Sequence, residues 1–222
     1  MDQLIFNTFS IVARCKKTGM LGMAVSTARP CVGGLAVFVK SKTGAIASQA
    51  AANPYFGIHG LEYLDQGLCA EEVMEKVKSE DEEFEKRQLA IVDNDGNVAG
   101  YTGKETVPWA GHHFGDQYGV VGNMLVGEQV IEAMVDAYEA TDENEFLGDR
   151  LMKVVRAGQD AGGDKRGKIS AAIKILGDYK YPLVDIRVDE HEDPVTELER
   201  IYEIVKRDLF PYIDNMPKYG DQ

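Results

Sequence analysis

The side chains that could do chemistry in this sequence fall in three segments, each polar or glycine-rich where a buried core favours apolar residues. The first is Asn7-Thr8-Phe9-Ser10, the second is residues 48–54, and the third is residues 103–123 together with Asp164-Lys165-Arg166. These segments carry hydroxyl, amide, imidazole and charged groups, which serve as nucleophiles, acids and bases in enzymes. They therefore contain the candidate site residues.

Four of these residues each allow two interpretations. Thr8 is either a nucleophilic hydroxyl or a β-branched residue of the kind that strands favour. Asn123, directly after Gly122, is either a donor to an oxyanion or a turn residue. Gln49 and Asn53 either contact a substrate, or they cap the following helix or bind backbone in a turn. Both interpretations stay open for each residue.

Trp109, His112, Asp164 and Arg166 complete the candidate set. Trp109 is either a platform for substrate or a core residue. For His112, a buried histidine with satisfied hydrogen bonds is favoured over a catalytic one. Asp164 and Arg166 lie two residues apart in a loop and are expected to form an ion pair that holds it, with contact to substrate as the alternative.

Runs of β-branched and apolar residues predict the strands that position these segments. The predicted strands cover residues 8–13, 20–26, 35–40, 45–51, 89–93, 97–101, 169–176 and 183–188. The first four are mostly apolar on both faces, as expected for a sheet that is covered on both sides. The glycine-rich stretch from 103 to 127 is predicted to be irregular.

Apolar residues at helical spacing predict helices between these strands. They fall around residues 58–67, 73–77, 128–140, 146–157 and 193–209, followed by a tail from residue 211 that is expected to be loosely held. Neighbouring strands joined by turns do not suit an alternating parallel βαβ design. We predict one α+β domain over residues 1–222, with two antiparallel sheets packed together and helix layers outside.

Composition excludes several classes of function. The chain has 222 residues and a formal net charge of −13, so its surface should repel polyanions and anionic membranes. No apolar run approaches the roughly 18 residues of a membrane span. The charge and the lack of a long apolar run predict that the protein has no nucleic-acid or membrane partner. Because the N-terminus lacks the pattern of a signal peptide, we expect a cytoplasmic protein.

No metal or cofactor is expected either. The three cysteines are widely spaced and form no CxxC pair, and the four histidines lack the spacing of zinc ligands. No GxGxxG sequence or phosphate-binding loop is present.

Short motifs along nearly the whole chain resemble one family, the domain-of-unknown-function family numbered 1028. They are Thr8-Phe-Ser-Ile-Val-Ala-Arg14, Ser48-Gln-Ala-x-Ala-Asn53-Pro-x-x-Gly57, Pro108-Trp-Ala-Gly-His112, Gly122-Asn123, Ala161-Gly-Gly-Asp164-x-Arg166-Gly167, Asp185-x-Arg187-Val-Asp189 and Asp193-Pro194. Because so many motifs occur in order, the resemblance is specific.

The resemblance implies membership of the N-terminal nucleophile (Ntn) hydrolase-like superfamily and a four-layer αββα sandwich. In such folds the first residue of strand one attacks an amide carbonyl, and its own α-amino group serves as the base. The implied function is an amidohydrolase that acts on a small or peptide-like amide, with Thr8 as nucleophile and a homo-oligomeric assembly by analogy. The alternative is a binding protein for metabolites that keeps the fold without catalysis.

Seven residues precede Thr8, and Asp2 is large enough to block routine removal of Met1. Thr8 therefore has a free amine only after a cut between Asn7 and Thr8. We expect residues 1–7 to be an extension or propeptide. Leu4, Ile5 and Phe6 are apolar enough to pack inward or at a subunit interface, so a precursor with a plugged site is a further interpretation.

Overall fold

The structure, a computed structural model, describes residues 5–213 and 215–216. Within these residues the strands form two antiparallel sheets. The strands are β1 (Ile5–Phe6), β2 (Thr8–Arg14), β3 (Leu21–Thr27), β4 (Val37–Lys40), β5 (Gly44–Ala51), β6 (Arg87–Asp93), β7 (Val98–Thr102), β8 (Gly111–Gly115), β9 (Tyr118–Gly122), β10 (Ser170–Leu176) and β11 (Val184–Val188).

One sheet has the order β11-β10-β3-β2-β9-β8, and the other has the order β1-β5-β6-β7 with β4 also paired to β5. Strand β2 lies inside its sheet between β3 and β9. The turn between β2 and β3 contains Gly19 at φ +70°, a conformation that glycine adopts without steric cost. This hairpin sets the register in which Thr8 lies opposite Thr27.

The described residues also contain seven α-helices and a short 3-10 turn at Phe84–Lys86. The helices are α1 (Val32–Leu35), α2 (Pro54–Asp65), α3 (Ala70–Ser79), α4 (Gln129–Glu139), α5 (Leu147–Asp160), α6 (Pro194–Asp208) and α7 (Phe210–Ile213). Helices α2 and α6 each begin with a proline, which suits the first turn because its missing N–H has no partner there. None of the described helices is long and apolar enough to cross a lipid bilayer.

Three apolar clusters hold these elements together. One lies between the two sheets and joins residues such as Met23 and Val25 of β3 to Ala45 and Val92 of the other sheet. A second packs α4, α5 and α6 on the six-stranded sheet. The third packs α2 and α3 on the other sheet. Both faces of each sheet are therefore covered, which explains why the strands are apolar on both faces.

The prediction that residues 103–127 are irregular was wrong, because this stretch contains β8 and β9. Glycines concealed the strands, since aromatic rings lie against the backbone where side chains are expected. A Cβ atom on Gly111 would stand 2.4 Å from the Trp109 ring, and one on Gly115 would stand 2.1 Å from the Tyr118 ring. Glycine is required at these positions for packing and does not mark a loop.

Four further elements were not predicted. They are the short strand β1, the helical turn α1, the 3-10 turn Phe84–Lys86 and the C-terminal turn α7. Helix α7 begins where the loosely held tail was expected, and Phe210 packs on the apolar cluster beneath α5 and α6. Residues 1–4 of the predicted extension and 217–222 of the predicted tail lie outside the described residues.

Candidate active site

Thr8 opens β2 and is completely buried, with 0% of its surface exposed. Its carbonyl accepts hydrogen bonds from the backbone N–H of Asn123 at 2.9 Å and from Gln49 Nε2 at 3.3 Å. Its hydroxyl is also buried and makes no hydrogen bond to any described residue. Burying a hydroxyl without a hydrogen bond costs free energy, and the hydroxyl of Ser26 is buried in the same way.

The carbonyl of Asn7, directly before Thr8, is held by side chains from two different elements. Thr27 Oγ1 at the end of β3 donates to it at 2.6 Å, and Arg166 Nη2 donates at 3.2 Å. Donors aimed at a carbonyl oxygen stabilise the negative charge that develops there when the carbon is attacked. The Asn7–Thr8 peptide bond is therefore polarised beside a hydroxyl that has no described partner.

Arg166 is held in place by Asp164. Its Nε and Nη2 atoms donate to the two carboxylate oxygens at 3.0 and 2.5 Å, a bidentate pair. The Asp164 side chain is only 1% exposed and also accepts from the backbone N–H of Ala28 at 3.3 Å. The expected ion pair is present, and it aims the guanidinium at the Asn7 carbonyl.

Gln49 lies between the sheets in a buried network of amides. It accepts from Ser10 Oγ at 2.6 Å and donates to Gln88 Oε1 at 2.7 Å. Asn123 Nδ2 donates to the same Gln88 oxygen at 3.0 Å. The network fixes the Thr8 carbonyl from two sides, so the interpretation of Gln49 as a helix cap was wrong.

Asn53 has the capping role that was the alternative to substrate contact. Its side-chain oxygen accepts from the backbone N–H of Tyr55 at 3.1 Å, which satisfies one of the free donors at the start of α2. Its carbonyl accepts from the hydroxyl of Ser48 at 2.9 Å.

His112 is exposed, so the expectation of a buried histidine was wrong. It lies on β8, the edge strand of its sheet, which leaves its ring toward solvent and stacked on Phe114. Its Nδ1 lies 2.8 Å from the Thr102 hydroxyl, which accepts from Gln88 at 2.8 Å. Partial desolvation and the neighbouring His113 hold the pKa of His112 below its usual value.

Trp109 is half-buried against the apolar cluster beneath α4. With His112 it lines a groove of about 350 Å³ whose other wall is formed by Glu128, Glu132 and Asp136. The structure thus joins five of the predicted site residues through hydrogen bonds around the Asn7–Thr8 peptide and leaves three farther out. The five are Thr8, Gln49, Asn123, Asp164 and Arg166, and the three are Asn53, Trp109 and His112. The described residues contain no group of three or more potential metal ligands.

Residues 8–198 match the Family of unknown function (DUF1028). The chain belongs to this family. It is similar to protein SPO2555 from Silicibacter pomeroyi, a DUF1028 crystal structure, with 32% identity, a TM-score of 0.84 and 92% of each chain covered. Anbu (ancestral beta-subunit) from Yersinia bercovieri aligns at 11% identity and a TM-score of 0.41, covering 96% of this chain and 100% of that one. No curated protein matches the chain.

The match to DUF1028 begins at Thr8 and includes every predicted site residue. Asn7 and the residues before it lie outside the matched range. The boundary of the match therefore coincides with the peptide bond around which the site is built.

Sequence reasoning missed two residues of this DUF1028 site. Thr27 supplies the shorter hydrogen bond to the Asn7 carbonyl, and Gln88 joins Gln49 to Asn123. The register of the first hairpin could have identified Thr27, because the two strands pair Thr8 with Thr27. No comparable local signal marks Gln88, which reaches the site from the other sheet.

Two of the five described non-glycine residues with positive φ lie beside Phe6 and Asn7. Ala50 has φ +67° and pairs with Phe6, and Met124 has φ +53° and accepts from Asn7 Nδ2 at 2.9 Å. A non-glycine residue in this left-handed region costs about 1–2 kcal/mol. Such residues cluster at functional sites, where the surrounding structure maintains them.

Proposed function

We propose that this DUF1028 protein hydrolyses amide bonds with the Thr8 hydroxyl as nucleophile, after the chain cuts itself between Asn7 and Thr8. One observation carries the proposal. A buried hydroxyl with no partner among the described residues directly follows a carbonyl that accepts hydrogen bonds from Thr27 and Arg166. The nucleophile and the polarised carbonyl thus belong to adjacent residues, and both oxyanion donors bind that carbonyl.

In the cutting step, Thr8 Oγ1 forms a bond to the carbonyl carbon of Asn7. The C–N bond to Thr8 breaks, the hydroxyl proton passes to the departing amine, and an ester remains. Water then hydrolyses the ester, leaving a carboxylate on Asn7 and a free α-amine on Thr8. Thr27 and Arg166 stabilise the intermediate oxyanion, an effect of roughly 3–4 kcal/mol per donor in a known case.

In the working enzyme, the freed α-amine of Thr8 serves as the base. An α-amine ordinarily has a pKa of about 7.7–8.0, so it can accept a proton near neutral pH without a histidine. It takes the proton of Oγ1 as the oxygen attacks a substrate amide, and then gives that proton to the departing amine. The acyl group stays on Thr8 as an ester until water releases it. Asn123 and Gln49 hold the Thr8 carbonyl and so keep the nucleophile in position.

The proposal includes the architecture of an Ntn hydrolase, a four-layer αββα sandwich within a single domain. What supports it is the arrangement of the three apolar clusters, with one between the sheets and one on the outer face of each. A strand inside the six-stranded sheet begins with the proposed nucleophile, as the mechanism requires.

The test compares two forms of the protein on a panel of amide and peptide substrates. A chain that begins at Thr8 is expected to hydrolyse at least one of them, and the same chain with Thr8→Ala is expected to hydrolyse none. Circular dichroism of both forms controls for folding. If the folded chain that begins at Thr8 is no more active than its Thr8→Ala form, the proposal is wrong.

A second candidate is a binding protein that keeps the fold without catalysis. The complete burial of Thr8 while Asn7 is attached favours it, because no substrate reaches the hydroxyl in that form. Thermal-shift measurements with metabolites distinguish the two candidates. A ligand that stabilises the full-length and Thr8→Ala chains equally and is never converted supports binding alone.

A further inference from the structure

The two residues before Asn7 are bound as an extended ligand would be. Strand β1 pairs antiparallel with the end of β5, with Ile5 opposite Ala51 and Phe6 opposite Ala50. The chain then passes at Asn7 from this sheet to β2 of the other sheet. The segment on the acyl side of the proposed cut is therefore held by main-chain pairing to a sheet edge.

This edge of β5 is shared between two strands. Strand β4 pairs with residues Gly44 to Ala47, and β1 pairs beyond it with Ala50 and Ala51. The opposite edge of β5 is occupied by β6. When β1 leaves, the backbone of Ala50 and Ala51 loses its partner on that side, and such an edge readily accepts another strand. Arg87 keeps the edge in shape, because its Nη1 donates to the Ala51 carbonyl at 2.6 Å.

We infer that the substrate is an extended peptide whose acyl part takes the place of Ile5–Phe6 on β5, with its scissile carbonyl where the Asn7 carbonyl now lies. The inference rests on the proposed function and names the substrate class of that same site. The bound peptide runs antiparallel to β5, and Thr27 and Arg166 donate to its scissile carbonyl.

The position of Asn7 also defines which side chain precedes the scissile bond. Asn7 is only 2% exposed, and its Nδ2 lies 2.9 Å from Met124 Sδ. Its Oδ1 is buried and makes no hydrogen bond to any residue in the described part of the chain. The enclosure therefore accepts a side chain of about the size of asparagine, and it excludes the larger aromatic side chains.

The test uses a chain that begins at Thr8 and three kinds of 4-nitroanilide. The extended substrate, acetyl-Leu-Ile-Phe-Asn-nitroanilide, repeats residues 4–7 of the chain, and acetyl-Asn-nitroanilide lacks the strand. We expect kcat/KM to be at least about tenfold higher for the extended substrate. In an antiparallel pair only alternate residues direct their N–H groups at the partner strand. The third kind of substrate is N-methylated at one backbone amide, that of Ile or that of Phe. Methylation of one of these two amides should abolish the increase in kcat/KM, and methylation of the remaining one should leave it unchanged.

A binding measurement separates this inference from the proposed function. A fluorescein-labelled Leu-Ile-Phe-Asn peptide should bind the Thr8-starting chain in an anisotropy titration. It should not bind the full-length Thr8→Val chain, which stays uncut and keeps β1 on the edge. Equal hydrolysis of the short and extended substrates overturns the inference and leaves amide hydrolysis intact. Binding of the labelled peptide with no hydrolysis of either substrate supports the docking strand and counts against the proposed function.

A second route to the same form guards against misfolding of the truncated chain. The full-length chain folds with residues 1–7 attached, cuts itself in front of Thr8 as proposed, and is then separated from the released peptide. If the cut product neither binds the labelled peptide nor prefers the extended substrate, the inference is wrong.

Discussion

Thr27→Val is expected to slow the cut between Asn7 and Thr8 by about 10²–10³-fold while the protein stays folded. Valine keeps the shape of threonine and removes only the hydroxyl, which donates to the Asn7 carbonyl at 2.6 Å. Loss of one oxyanion donor costs about 2.7–4 kcal/mol in a known case, which gives the expected change in rate. In the uncut chain the carbonyl keeps its bond to Arg166 at 3.2 Å, so stability should fall by only about 1 kcal/mol.

The neighbouring Ser26 provides a matched control for this prediction. It lies on the same strand, is equally buried, and its hydroxyl makes no hydrogen bond to a described residue. Ser26→Ala should therefore leave the rate unchanged. The assay follows the intact masses of freshly purified chains over time, with denaturant unfolding as the measure of stability. Cutting of Thr27→Val at the parental rate, or an equal slowing in Ser26→Ala, would refute the role given to the Thr27 hydroxyl.

Three other outcomes follow from the geometry. Arg166→Met leaves the buried Asp164 carboxylate without its ionic partner and should lower the free energy of unfolding by about 3 kcal/mol. Arg187→Met breaks an exposed ion pair and should lower it by at most about 1 kcal/mol. Equal losses for the two variants in denaturant unfolding would contradict this prediction. Gln49→Leu removes the contacts of a buried amide and should cost about 2 kcal/mol in the same melts, so an unchanged midpoint would count against the network. An NMR titration should show that the pKa of His112 lies below the ordinary value of about 6.5. The contribution of neutral His112 to stability is therefore complete above pH about 6.5 and is lost as the pH falls through the lowered pKa. A titration midpoint at or above pH about 6.5 would contradict this prediction.

Local sequence patterns predicted the elements whose signals lie within a few residues. The first hairpin, the strands up to Ala51 and the long helices were confirmed, because turn residues and apolar spacing determine them directly. Strands β8 and β9 were missed because glycines are typical of loops, whereas here Gly111 and Gly115 leave space for the rings of Trp109 and Tyr118. That requirement comes from packing, which the local pattern does not record.

Some residues of the candidate site could likewise be predicted from local sequence, and others could not. Thr8, Asn123, Asp164 and Arg166 lie in short polar motifs that stand out from the surrounding sequence, and hydrogen bonds do join them around one peptide unit. Gln88 carries no such signal, because it lies in an apolar strand of the other sheet and reaches the site only through the packing of the two sheets. The role of Asn7 could not be inferred from its neighbours either, since the donors to its carbonyl come from residues 20 and 159 positions away.

Self-cutting in front of Thr8 can be followed by the intact mass of the purified full-length chain during incubation at neutral pH. We predict that the mass of residues 1–7 is lost, that the new N-terminus is Thr8, and that a Thr8→Val chain keeps its full mass under the same conditions. A folded chain that retains Met1 to Asn7 indefinitely, or a Thr8→Val chain that is cut at the same bond and rate, would contradict the assignment of Thr8 as the nucleophile.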